Sequence, residues 1–193
     1  MSLLSKTFAL IALPTALLFG QPTSLAGDTF KLDPVHSSLL FKVKHLGVSY
    51  SYGRFNEMDG QIVWDSADPS KSTFSVTVKT SSVDTANAKR DEHLRSPDFF
   101  DAKQFPTLSF KSTSVKPAGE NKYEVTGDLT IRGVTKPITV TLEHVGVNSG
   151  QRGTKTGFDG QFTINRQEFG VAYMPQGIGN EVTILVALEA EKQ

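Results

Sequence analysis

Along most of the chain apolar residues recur at every second position. Within Ser38–His45, Leu39, Phe41 and Val43 share one parity, and Lys42 and Lys44 the other. Phe74, Val76 and Val78 alternate with Ser75, Thr77 and Lys79, and Leu108 and Phe110 with Thr107, Ser109 and Lys111. The same period runs through Tyr123–Ile131, Ile138–Leu142, Phe158–Ile164 and Val182–Leu188. A period of two predicts antiparallel strands with one buried and one solvated face. Turn chemistry separates the runs at Asp68-Pro69-Ser70, Pro117–Asn121, Arg132-Gly133 and Asn148-Ser149-Gly150. With Gln61–Trp64 the pattern gives about eight strands, an all-β domain built as a barrel or a sandwich.

Asp84–Asp101 breaks the period. Its core, Ala88-Lys89-Arg90-Asp91-Glu92-His93-Leu94-Arg95, favours a helix that Asp84 or Thr85 can cap and Ser96-Pro97 stops. So charged a helix belongs over a barrel opening or on a barrel wall. Tyr173–Gly179 reads as a second short helix or a loop.

Residues 1–26 carry one charge, Lys6, then an apolar run from Phe8 to Phe19, and end in Ser24-Leu25-Ala26. This is the layout of a secretory signal cleaved after Ala26, and the run is too short for a membrane anchor. Export then leaves one domain, residues 27–193, in the periplasm of a cell with two membranes. No other stretch approaches membrane-spanning length.

Composition narrows the chemistry. The 20 Lys and Arg balance 20 Asp and Glu, so there is no basic excess for nucleic acid. The absence of cysteine excludes disulfides, thiolate zinc sites and a Cys nucleophile. No G-x-S-x-G elbow, Walker A loop or H-E-x-x-H occurs. The four histidines, His36, His45, His93 and His144, are not at ligand spacing, and no metal is expected. Arg90 and His93 are three apart on one helix face, where a guanidinium and an imidazole can meet a polar head group or simply lie in solvent. Of 13 phenylalanines, Phe8 and Phe19 fall in the signal. The rest fit a filled barrel core or the wall of a cavity, and composition does not choose between them.

Longer phrases carry a resemblance. Phe30-Lys31-Leu32-Asp33-Pro34-Val35-His36-Ser37-Ser38 leads into Phe41-Lys42-Val43-Lys44-His45-Leu46-Gly47 and Tyr52-Gly53-Arg54-Phe55. Then follow Arg90–Asp101, Phe105–Ser112, Gly127–Pro137 and Asn165-Arg166-Gln167-Glu168-Phe169-Gly170. In this order they closely resemble the YceI-like family of bacterial polyisoprenoid-binding proteins. The resemblance implies an extended antiparallel eight-stranded lipocalin-like barrel with one short helix over it. It also implies a periplasmic binding protein, not an enzyme, with some members dimeric. The ligand would be a long-chain isoprenoid or other amphiphilic lipid, with no separate cofactor; the alternatives are a carrier of isoprenoid quinones or a stress-response factor with a filled core.

Carried onto this chain, the resemblance puts Arg90 and His93 on the ligand head group, with Asp91 orienting one of them. The cavity wall would comprise Phe41, Val43, Phe55, Phe74, Val76, Phe110, Leu129, Ile131, Phe162, Ile164, Val182 and Ile184. Asp33, His36 and Arg166 would fix barrel closure and strand ends. Gly53, Gly60 and Gly127 would permit tight bends or make room for the lipid chain.

Overall fold

The alternating runs become strands in the computed structural model, which describes residues 27–151 and 153–193. The signal segment, residues 1–26, lies outside the described residues. In chain order the strands are β1 (Asp28–Leu32), β2 (Ser38–His45), β3 (Ser49–Phe55), β4 (Met58–Trp64), β5 (Thr73–Lys79) and β6 (Val83–Asp84). After helix α1 (Ala88–Arg95) come β7 (Thr107–Gly119), β8 (Lys122–Ile131), β9 (Val134–Gly150), β10 (Gly153–Asn165) and β11 (Ile178–Lys192).

Eight of these close a barrel in the order β1-β4-β5-β7-β8-β9-β10-β11, with β11 pairing back to β1. All the pairings are antiparallel. Closure pairs each of the eight with a neighbour on both sides. One edge of β11 serves two strands, β1 near its end (Leu32↔Ala190) and β2 before that (Ala187↔Ser38). The chain leaves the sheet between them because Pro34 has no N–H to give a ladder. Ser37 bridges the gap, its hydroxyl donating to the Glu189 carbonyl at 3.2 Å and accepting from the Glu189 N–H at 2.9 Å. From there β2 and β3 form a hairpin, and β3 pairs with β6.

The turn at Arg132-Gly133 joins β8 to β9 with both residues at positive φ, as a tight hairpin requires. Two local expectations needed correction. Asn148-Ser149-Gly150 lies within β9, and the turn comes after it. Asn87, not Asp84 or Thr85, caps α1, its Oδ1 accepting from the Arg90 N–H at 3.0 Å. Of the two readings of Tyr173–Gly179, the structure takes the loop, over Tyr173–Gly177, before β11 begins at Ile178; a separate 3₁₀ turn falls earlier, at Arg166–Phe169.

The interior has two parts. At one end Phe30, Ile62, Trp64, Phe74, Val125 and Phe158 pack into a solid plug, with Phe74 and Phe158 edge to face at 5.0 Å. At the other, Phe55, Val83, Phe99, Leu129, Ile131 and Phe169 line the wall beneath α1. Gly60 and Gly127 let neighbouring strands approach closely. A Cβ would lie 2.4 Å from the Ser75 carbonyl at Gly60 and 2.5 Å from the Lys111 carbonyl at Gly127.

Candidate functional site

The solid plug stops short of the open end, leaving a cavity of about 420 Å³. Its floor is Phe74, Leu142 and Leu188; its mouth lies among Lys44, His45, Tyr173 and Met174. On β11 the lining runs from Ile178 to Leu188, which at the usual strand rise and barrel tilt makes a tunnel about 25 Å deep. The barrel therefore does not have the filled core that the sequence left open. All twelve residues expected on the wall face this one space, from Phe41 on β2 to Ile184 on β11. Several, including Val76, Phe110, Phe162, Val182 and Ile184, are only half-buried although they point inward. Their uncovered surface faces the void. At Gly53 a Cβ would sit 2.3 Å from the Phe41 ring, so the missing side chain gives that ring its place in the wall.

Polar groups are few and cluster at the mouth. Arg90 reaches back along the start of α1, donating from Nε to Thr85 Oγ1 and from Nη2 to the Thr85 carbonyl, both at 2.7 Å. Asp91 is buried and does not line the cavity; its Oδ1 accepts from the N–H and hydroxyl of Thr85. Asp91 and Arg90 are thus linked through Thr85. His93 lines the mouth but donates from Nε2 to Asp98 at 2.9 Å and stacks edge-on against Phe99 and Tyr173. Arg166 is buried, with its donors on the backbone carbonyls of Val171, Ile178 and Gly179. Burial lowers its guanidinium pKa.

Sequence reasoning missed Thr85, Leu94, Phe99, Phe100, Tyr173 and Met174 at this end. Phe99-Phe100 offered a signal, two aromatics directly after a helix stop. Thr85 offered none, since its role depends on where α1 begins.

A match to the YceI-like domain spans residues 30–190. The chain belongs to the YceI-like family. It is 40% identical to a UPF0312 protein of Pseudomonas paraeruginosa, over 99% of this chain and 100% of that one. A UPF0312 protein of Azotobacter vinelandii is 35% identical over the same shares. Among solved structures, BcnA of Burkholderia cenocepacia superposes with a TM-score of 0.77 at 28% identity, covering 82% of this chain and 99% of that one. The Campylobacter jejuni YCEI protein gives 0.71 at 33%, covering 78% and 90%. A polyisoprenoid binding domain from Saccharophagus degradans shares the fold, with a TM-score of 0.68 at 14% identity, covering 85% and 98%. No helix among the described residues is long and apolar enough to cross a membrane.

Away from the cavity, this YceI-like barrel carries a second polar cluster where β1 gives way to β2. Asp33, His36 and Glu189 bring their ligating atoms within 4.8 Å of one another. The Lys155 ammonium already pairs with both carboxylates, 2.7 Å from Glu189 and 3.2 Å from Asp33. The cluster ties the strand break to β10 and β11. The His36 imidazole foremost, then the Val35 N–H and Lys155, hold the Asp33 carboxyl well below the usual carboxylate range. A depressed carboxyl stabilises the fold above its unfolded pKa, about 3.9, and loses that contribution as pH falls further. At the plugged end burial pushes His144 down, so its neutral form is the native one. That contribution is present above about pH 6.5 and fades below it.

Thermal unfolding followed against pH should therefore lose stability in two steps. His144→Gln should flatten the step between pH 7 and 5. Asp33→Asn should cost about 1 kcal/mol at neutral pH, because the cluster is open to water, and should approach the unsubstituted protein only as the pH falls well below the usual carboxylate range, toward the depressed folded value. Parallel curves at every pH would contradict both assignments.

Proposed function

We propose that this YceI-like protein binds and carries, or stores, a long-chain isoprenoid lipid in its barrel, in the periplasm, and works as a binding protein, not an enzyme. One observation carries the reading: a deep, narrow, almost wholly apolar tunnel, closed at one end and polar only at its mouth. An isoprenoid tail gains about 0.8 kcal/mol for each methylene it buries there. Ordering the chain offsets much of that gain, so chain length and a few mouth contacts would set specificity. The Saccharophagus degradans neighbour, described as a polyisoprenoid binding domain, supports the choice of ligand class.

Protein made in its native host should yield an isoprenoid by organic extraction and mass spectrometry, near one molecule per chain. Repeated extraction with no lipid found would sink the proposal.

The engagement of Arg90, His93 and Arg166 favours a quinone-type, uncharged head over a diphosphate on their side of the mouth. Arg90 has given two of its three nitrogens to Thr85, His93 is engaged by Asp98, and each Arg166 nitrogen is on a backbone carbonyl. Arg90→Ala should then weaken retention of a neutral head by less than about fivefold, whereas loss of a charge-assisted bond to a diphosphate would cost about tenfold or more. Absorbance of the extract that changes on reduction would identify a quinone directly.

A further inference from the structure

Six of the eleven large apolar side chains exposed among the described residues gather around the mouth of the barrel, while Val35, Val145 and Val147 are exposed elsewhere. Leu46, Val48, Tyr50 and Tyr52 stand on the β2–β3 hairpin, and Tyr173 and Met174 on the loop before β11. The Leu46 N–H donates to the Gly177 carbonyl at 2.7 Å, so hairpin tip and loop form one surface. The tip itself is unusual. Leu46 and Gly47 turn the chain with φ of 49° and 75°, and the first of these positions suits Asn or Gly far better than leucine. Yet Leu46 is 56% exposed and Val48 83%, so neither is there to fill the core.

Within the hairpin and the loop themselves the charge has one sign; acids at their edges include Asp98, bonded to His93, and Glu181 on β11. Neither Pro34–Asn56 nor Phe169–Asn180 contains an Asp or Glu, while the first carries Lys42, Lys44 and Arg54. Register places Lys42 opposite Tyr52 and Lys44 opposite Tyr50 on the outer face of the hairpin, with the Lys42 ammonium 5.4 Å from the Tyr50 ring. Neither lysine has an ion-pair partner among the described residues. Lys44, Tyr52, Tyr173 and Met174 also border the opening through which any ligand must pass.

We propose that this face docks the mouth onto an anionic phospholipid bilayer. The Leu46–Val48 tip enters the boundary between head groups and acyl chains. The tyrosines take the amphipathic level where such rings sit, and Lys42 and Lys44 meet the phosphates. Two apolar side chains and two lysines make a reversible contact, not an anchor. The proposal rests on the lipid-binding reading of the cavity for its purpose: a docked mouth lets an apolar chain move between bilayer and barrel without crossing water.

The test is co-sedimentation of the purified protein with vesicles of phosphatidylethanolamine and phosphatidylglycerol, against vesicles of phosphatidylcholine alone. Binding should require the anionic lipid and fall with salt. L46S/V48S and K42Q/K44Q should each reduce the partition coefficient about tenfold or more. Extracting lipid from the same proteins separates the two claims. L46S/V48S, whose residues do not line the cavity, should retain whatever lipid the unsubstituted protein carries, and vesicle binding is scored whether or not any lipid is found. Absence of vesicle binding, or binding unchanged in both variants, would overturn the proposal. So would a micromolar dimer in sedimentation equilibrium that L46S/V48S abolishes, since the face would then belong to a second copy of the chain.

Discussion

V76W/I184W should empty the barrel of lipid while leaving it folded. Ile184 lies in register with Phe162 on one side and Phe41 on the other, about halfway between mouth and floor. Val76 pairs with Phe110 and with Gly60. Their strands, β5 and β11, are five steps apart along the continuous run β5-β7-β8-β9-β10-β11, so the side chains approach from nearly opposite walls. An eight-stranded barrel is only wide enough for its own side chains to meet in the middle. Two indoles at these positions would therefore bridge the tunnel. Forcing a larger side chain into a packed core costs about 1–3 kcal/mol. Here each indole enters empty space, and the filled void offsets that cost. Lipid per protein, read by extraction and mass spectrometry, should fall at least tenfold, with the melting temperature within a few degrees of the starting protein. Ile184→Val, which only widens the tunnel, should keep its lipid. Full retention by the double variant would mean that the lipid lies elsewhere.

How much of this site could be read from the chain depended on whether parity coincided with burial. On β5, β7, β8, β10 and β11 the inward positions are apolar, so alternation marked both strand and wall. On β3 the rule reverses. Ser51 and Gly53 take the inward parity while Tyr50 and Tyr52 face water, and the strand did not stand out as amphipathic. Those inward residues are small because Phe41 needs the room, a requirement set by the opposing strand. β1 and β6 were too short to show a period. The same dependence on partners hid the polar mouth. Arg90, Asp91 and His93 were legible as a charged helix segment. Their roles came from Thr85 and Asp98, placed by the cap at Asn87 and the turn after α1. A cavity and a filled core share one alternation, and only the distance between the walls separates them.

Arg166→Met should cost about 3–5 kcal/mol and release the loop that borders the mouth. The Arg166 guanidinium lies in a part of the barrel where only 5% of the residue meets solvent. No carboxylate pairs with it among the described residues. Instead Nη1 donates to the Val171 carbonyl at 2.7 Å, Nη2 to Ile178 at 2.9 Å and Nε to Gly179 at 2.9 Å. These carbonyls flank the loop 172–177 on both sides, so one side chain holds the departure from the 3₁₀ turn and the entry into β11. Methionine keeps the apolar stem but leaves three carbonyls without their donor, and a buried acceptor deprived of its partner pays its desolvation in full. Domains of this size unfold at about 5–15 kcal/mol, so the loss is a large share of the total. The melting temperature should drop by about 10 °C. Arg166→Lys should recover little, because a single ammonium cannot reproduce a planar fork aimed at three separate carbonyls. Amide exchange should accelerate first in residues 171–179, ahead of the rest of the barrel. A variant that melts within 2 °C of the unsubstituted protein would show that the loop is held by its apolar contacts alone. With the clamp gone, Tyr173, Met174 and the Gly177 carbonyl that receives Leu46 lose their fixed place. Lipid retention should then weaken in the fraction that stays folded, which separates loosening of the mouth from loss of the barrel.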